Sequence, residues 1–208
     1  MASGPGSGSL ASLRRLTRPR DPEERCELCG APLPEEHTHL FEVRTEALTC
    51  ACRACALLFT GQAQARYRPV PDRVLSLPDL VLAPERWEAL DIPVGLAFFT
   101  RSTRLGRVVA RYPSPAGPTE SQLGLATWAE LEAANPVLRD LEPDVEALLV
   151  NRVGTASDNL VVPIDRCYAL VGLVRMGWRG ISGGPEVWGS VATYFADLRA
   201  RARVAADA

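Results

Sequence analysis

Cys26-Glu27-Leu28-Cys29-Gly30 and Cys50-Ala51-Cys52-Arg53-Ala54-Cys55 decide how the N-terminal part of this chain folds, with His37-x-His39 lying between them. Five of the six cysteines and both histidines of the 208-residue sequence thus fall between Cys26 and Cys55. Two Cys-x-x-Cys pairs on either side of a short connection can place four thiolates around one tetrahedral metal ion. Gly30 after Cys29 suits a knuckle in which backbone amides approach the sulfurs, whereas Ala56 after Cys55 points to a different turn. Thiolates are soft donors that suit zinc, and four of them close the coordination sphere, so the expected site is structural.

The expected ligands are Cys26, Cys29, Cys52 and Cys55. Cys50 is the first substitute, because Cys50-x-Cys52 on a strand would point both sulfurs to one face. His39, which would give a Cys₃His set, and His37 are further substitutes, against the plainer reading of two polar residues on a solvated arm. Surplus donors could also support a second metal or a redox-labile thiol. For the cysteines the plain alternative is a set of unligated thiols. Iron in a rubredoxin-like site is the alternative to zinc, with only Phe41 and Phe59 at hand to pack near the sulfurs.

Working outward, Leu40–Val43 and Ala47–Thr49 read as the arms of a hairpin turning near Thr45, and Ala56–Phe59 as a compact apolar run. A zinc ribbon and a treble clef, whose last ligands sit in the first turn of a helix, both fit. A module of about 35 residues cannot close a self-sufficient apolar core, which is why a metal is expected there. The expected organisation is a disordered tail (1–24, rich in Gly, Ser, Pro and Arg), a Cys-rich metal-binding module (25–65), a proline-bearing linker (66–84) and a larger α+β domain (85–205). The larger domain is expected to survive loss of the metal, its core lying elsewhere.

Within that domain, Pro84 suits the first position of a short helix through Trp87 and Leu90. Ile92–Phe99 reads as a strand with Ile92, Val94, Leu96 and Phe98 on one face, joined through a Ser102–Gly106 turn to Arg107–Tyr112. Pro113–Ser121 reads as a long loop, after which Thr127 and Glu130 form a capping-box pattern and Asn135-Pro136 ends the helix. Val145–Val150 and Leu160–Pro163 read as strands. Asp165 suits the cap of a helix with the stripe Cys167, Leu170, Val171 and Val174, and a last helix starts near Pro185. Hairpin-linked strands with helices grouped later argue for an α+β fold, an antiparallel sheet covered mainly on one face.

Composition narrows function. A net charge of −2 offers no electrostatic reason to bind nucleic acid or an anionic membrane, and between Cys26 and Phe59 acidic residues outnumber Arg44 and Arg53. All 23 basic residues are Arg, which excludes a Schiff-base or phosphate-loop lysine. No run is long enough to insert in a membrane and the N-terminus lacks a signal-like apolar segment, so the expected location is cytoplasmic. The larger domain contains no His and one Cys, so it holds no Ser-His-Asp or Cys-His nucleophile of its own. Asp144, Glu146 and Asp165 are its candidate acid–base carboxylates, against turn and cap roles. Gly180–Pro185 is a Gly-rich helix lead-in that could cradle an anion but matches no nucleotide fingerprint.

Cys26-Glu-Leu-Cys29-Gly30, His37-x-His39-Leu40, Cys50-Ala-Cys52-Arg-Ala-Cys55, Ile92-Pro-Val-Gly-Leu-Ala-Phe-Phe99, Tyr112-Pro-Ser-Pro-Ala-Gly117 and Trp178-Arg-Gly-Ile-Ser-Gly-Gly184 follow one another in this order. In that series the chain resembles an uncharacterised bacterial domain-of-unknown-function family encoded beside nickel–iron (NiFe) hydrogenase genes, over nearly everything from Cys26 to Leu198. The resemblance brings no catalytic residues or ligand set. It implies a context, hydrogenase assembly or electron transfer, with hydrogenase subunits or maturation factors as protein partners. The expected function is a non-catalytic zinc-binding accessory protein. The alternatives are a rubredoxin-like electron carrier and an enzyme of unnamed reaction in the C-terminal domain.

Overall fold

The computed structural model describes residues 24–60, 66–89, 92–121, 125–180 and 182–205. The tail expected to be disordered lies outside the described residues, except for Glu24. In a three-stranded antiparallel sheet, β1 (Thr38–Glu42) pairs on one side with β2 (Ala47–Ala51) and on the other with β3 (Tyr67–Pro69). The β1–β2 turn falls where expected, and Glu46 adopts a φ of +54° in it. Helix α1 (Arg53–Thr60) follows β2 after a single residue, Cys52.

Seven strands build the larger sheet: β4 (Leu75–Ser76), β5 (Leu96–Ser102), β6 (Arg107–Ser114), β7 (Gly117–Ser121), β8 (Glu146–Asn151), β9 (Asp158–Pro163) and β10 (Arg203–Val204). Their order is β10-β4-β9-β8-β5-β6-β7, antiparallel throughout except for the parallel β10–β4 edge. Helices α2 (Pro84–Glu88), α3 (Leu125–Ala134), α4 (Ile164–Gly177) and α5 (Pro185–Arg201), with a 3₁₀ turn over Pro136–Asp140, complete the α+β fold.

The sheet is covered on both faces, not mainly on one. Leu96, Phe98, Ala147, Leu149, Leu160 and Val162 meet the apolar faces of α4 and α5. On the opposite face Ala97, Phe99, Leu148 and Val150 meet Trp128, Leu131, Leu138 and Leu141 from α3 and the 3₁₀ segment. Phe99 and Trp128 stack with ring centroids 5.7 Å apart. The physical reason is legible in β8, which is buried at all six positions: strands apolar at both parities need two covers. The first strand also starts later than expected, at Leu96, since residues 93–95 turn. Val94 keeps the face of Leu96 and Phe98, but Ile92 packs on the other.

Three further expectations change. Pro113–Ser121 is no loop: it is the end of β6 and all of β7, with Pro113 opposite Pro118 in the ladder. Both prolines argue against a strand, yet Pro118 lies on the edge strand β7, and Pro113 lies beyond Arg111, the last β6 residue paired with β5, so neither has to donate to an outer neighbour. Helix α3 begins at Leu125, so Thr127 lies inside its first turn and does not cap it. Asp165 likewise lies inside the first turn of α4, whose N-cap is Pro163. Asn135 is extended (φ −137°, ψ 82°) as the following Pro136 demands, which ends α3 as expected.

Residues 66–84 do more than connect: they give β3 to one sheet and β4 to the other. The Cys-rich part is also packed against the larger sheet. Phe41 is buried in the same core as Phe98 and Leu96, with Val43, Leu48 and Val70 packed around it. Arg68 on β3 reaches Asp144 (3.2 Å) and Glu142 (3.1 Å), while Glu46 in the β1–β2 turn accepts from Arg111 (2.8 Å) and Arg104 (3.1 Å). The larger domain's core therefore does not lie wholly elsewhere.

Replacing Phe41 with Ala should cost about 3–5 kcal/mol, the usual range for a buried Phe. All four tryptophans, Trp87, Trp128, Trp178 and Trp188, lie beyond residue 84, so tryptophan emission reports only the larger sheet and its helices. A urea midpoint read from that emission should fall in the Phe41→Ala variant; an unchanged midpoint would show that the two cores are independent.

Candidate metal centre

Two different turns bring the four cysteines together. At the first, Cys26 N–H donates to the Ala31 carbonyl (2.8 Å) and Gly30 N–H to the Cys26 carbonyl (2.7 Å), a knuckle that needs the φ of +76° adopted by Gly30. At the second, Cys52 precedes α1 and Cys55 sits in its first turn, where its N–H approaches Cys52 Sγ at 3.5 Å. Here the start of a helix does what Gly30 does in the knuckle, which accounts for Ala56. Knuckle, hairpin and helix together form the treble-clef arrangement, not the ribbon.

One sulfur from each of Cys26, Cys29, Cys52 and Cys55 lies within 4.8 Å of all the others, and none is disulfide-bonded. Cys29 Sγ and Cys52 Sγ are 3.8 Å apart. A tetrahedron with metal–sulfur bonds of about 2.3 Å has edges of about 3.8 Å, so the four sulfurs could hold a tetrahedral metal ion. Cys26, Leu40, Ala51 and Cys55 are buried together, and among the described residues they make up the buried apolar cluster on this side of β1.

The thiols differ in acidity for identifiable reasons. Burial works against ionising Cys26, but hydrogen bonds from the Cys52, Leu28 and Cys29 amides outweigh it and hold the thiol at about 6. Burial, followed by contact with the other thiols, pushes Cys55 up to about 12. At Cys29 the Ala31 amide lowers the pKa, yet the Cys26 and Cys52 thiols carry the balance upward. Four such thiols cannot all ionise unaided. A divalent cation at their centre is the group that would hold them as thiolates.

Cys50 does not join this group. In the β1–β2 ladder it lies opposite His39, and its sulfur clusters with ring nitrogens of His37 and His39. The strand ends at Ala51, so the Cys50-x-Cys52 spacing does not carry both sulfurs to one face. The two histidines are no solvated arm either. The His37 side chain is only 6% exposed, and His39 Nδ1 is 2.8 Å from Asp165 Oδ2 on α4. That contact between chain segments 126 residues apart is invisible to spacing arguments.

The other candidates are occupied in structural roles. Glu146, fully buried, accepts from Arg73 (2.7 Å) and from the Glu142 N–H (3.0 Å). Asp144, with φ +67°, accepts from the Thr103 N–H (2.8 Å) and hydroxyl (2.6 Å) and from Arg68. Cys167 is fully buried on the α4 stripe, and desolvation raises its thiol. The Gly-rich segment is a packed lead-in to α5. Trp178 and Trp188 donate indole N–H bonds to the carbonyls of Gly180 and Ser182, each at 3.0 Å. A Cβ at Gly183 would stand 2.9 Å from Val187 Cγ1 and 3.1 Å from the Trp178 ring.

The chain matches, over residues 25–202, the model of a family of unknown function, DUF5947. No curated protein and no solved structure matches it. Among the described residues no helix is long and apolar enough to cross a membrane.

Gly183→Ala combines that close approach with a φ of +86°, and should cost about 2 kcal/mol or more. Gly189→Ala, where a Cβ meets nothing within 4 Å, is the control and should be neutral or slightly stabilising in the same thermal melt.

Proposed function

We propose that this chain, which belongs to the DUF5947 family, is a non-catalytic zinc-binding accessory protein. Its Cys26, Cys29, Cys52 and Cys55 hold one structural zinc ion. The observation that carries the reading is the convergence of four free sulfurs, from a knuckle and a helix start, at separations that suit a tetrahedron. Thiolate donors and closed coordination favour zinc over a hard cation such as magnesium. The ion takes the place of the apolar interior that the small sheet lacks on its cysteine side.

The role is docking to another protein. Supporting it, α1 turns Leu57 (70% exposed), Leu58 (71%) and Phe59 (42%) toward solvent directly after the last ligand. Neighbouring large apolar side chains on one short helix are a surface that a protein partner would cover. The resemblance to a family encoded beside NiFe-hydrogenase genes supplies the context, with hydrogenase subunits or maturation factors as the partners. The chain acts in the cytoplasm, and its organisation is a tail, a metal module and an α+β domain held to the module by shared packing.

Elemental analysis of chain purified without added metal should find zinc, and the Cys26→Ser/Cys29→Ser variant should lose one equivalent of it. Structural zinc contributes roughly 10–16 kcal/mol of apparent binding free energy in finger peptides. Because Phe41 joins the two cores, the variant should also lower the tryptophan-reported urea midpoint. Iron, with visible colour and a reversible one-electron couple, would replace this reading with the rubredoxin-like one. For the partner, Leu57→Glu/Leu58→Glu should keep the zinc and the thermal midpoint but lose hydrogenase components that co-purify with the wild-type chain. If those components never co-purify, the docking assignment fails while the metal assignment stands.

A further inference from the structure

On the face of β1 and β2 turned away from the four cysteines, a ligand atom from each of His37, His39 and Cys50 lies within 4.8 Å of the other two. Their arrangement is more than proximity, because the hydrogen bonds of both rings fix which nitrogen is free. His37 Nδ1 is 3.0 Å from the Pro34 carbonyl, which can only accept, so Nδ1 carries the proton; Glu24 lies on the same nitrogen at 3.4 Å. His39 Nδ1 is 2.8 Å from the Asp165 carboxylate, which also accepts. Both rings therefore present the Nε2 lone pair.

His37 Nε2 is buried and has no hydrogen-bond partner among the described residues. A buried lone pair without a donor is costly, and native structures rarely leave one so unless something else takes it up. The two rings meet edge to face, with centroids 4.9 Å apart, and Cys50 stands across the ladder from His39. The His39–Asp165 pair has the form of the carboxylate–histidine–metal triads that set ring orientation and basicity at metal centres.

We infer that His37 Nε2, His39 Nε2 and Cys50 Sγ bind a second transition-metal ion, of the zinc class, with Asp165 as the positioning residue behind His39. Imidazole and thiolate donors select such ions over calcium or magnesium. Three protein ligands leave a fourth position for an exchangeable ligand. Both histidines line a cleft of about 590 Å³, shared with Asp72, Asp165, Arg166 and Arg201. This site differs from the four-cysteine centre in ligands and in strand face. It also bridges the two parts of the molecule, since His37 just before β1, His39 on β1 and Cys50 on β2 supply the donors and α4 of the large domain supplies Asp165.

The test uses the full chain loaded with Zn²⁺ alone, desalted and analysed for metal per chain, with a parallel Co²⁺ titration followed by absorption. Wild type should hold two ions. Cys50→Ser and His37→Gln/His39→Gln should each hold one, retaining the strong multi-thiolate Co²⁺ charge-transfer bands of the four-cysteine centre. Asp165→Asn should weaken only the second ion, by about 10–100-fold in a chelator competition. A wild-type chain that saturates at one ion carrying the multi-thiolate spectrum would overturn the inference and leave the four-cysteine reading intact. A Cys50→Ser chain that still holds two ions would overturn it as well. Loss of both ions in Cys50→Ser, a change of one atom, would mean a single shared centre and would equally end it. A wild-type chain binding one ion without multi-thiolate bands would instead sink the four-cysteine assignment.

Discussion

β1 is buried on both faces, and the period of two along it joins the parts of this protein. Leu40 faces the cysteines while Phe41 faces the core of the large sheet, so one strand closes two interiors. A register slip by one residue would send Phe41 into the cysteine cluster and Leu40 into the large core, which makes the pairing with β2 and β3 strongly specified. The same alternation sorts the chemistry. His39 shares its face with Phe41, and Cys50, its partner across the ladder, shares it too. Five cysteines close in sequence thus divide into a group of four and a separate one.

Charged groups reinforce this docking without supplying its main energy. Glu146 is fully buried against Arg73, and Asp144 is held by Thr103 and Arg68 at the corner where β3 meets the start of β8. Removing one member of such a pair leaves a buried charge uncompensated, so the pairs act as constraints on geometry more than as sources of stability. Exposed pairs such as Arg107–Glu120 contribute little. Arginine is suited to these corners, because its planar fork can serve two carboxylate oxygens at once, as Arg73 does with Glu146.

Much of the fold was legible because it rests on local signals. The β1–β2 hairpin, the β5–β6 hairpin, the Asn135-Pro136 break and the α4 and α5 stripes follow from turn chemistry and periodicity. The missed elements depended on distant partners. β3, β4 and β10 are two or three residues long and are strands only because a neighbour is there to pair with. β7 was hidden by Pro118, which an edge position excuses. The second cover of the large sheet was hidden because Ala97 and Phe99 looked like the minor face of a strand whose other side was sufficient.

By itself the sequence determined an α+β chain with a cysteine-rich treble-clef or ribbon module, a group of four thiols that could hold a metal ion and helices whose apolar stripes had to be buried. These properties are carried by residue type and by spacings of two to four along the chain, which backbone geometry converts directly into shared faces. Tertiary structure alone decided that the module packs through Phe41 onto the large sheet, that Cys50 leaves the other cysteines for His37 and His39, and that Asp165 stands behind His39. Each of these depends on where a strand stops or on which segment arrives from more than a hundred residues away. Close packing of the whole chain sets both, and no local pattern encodes them.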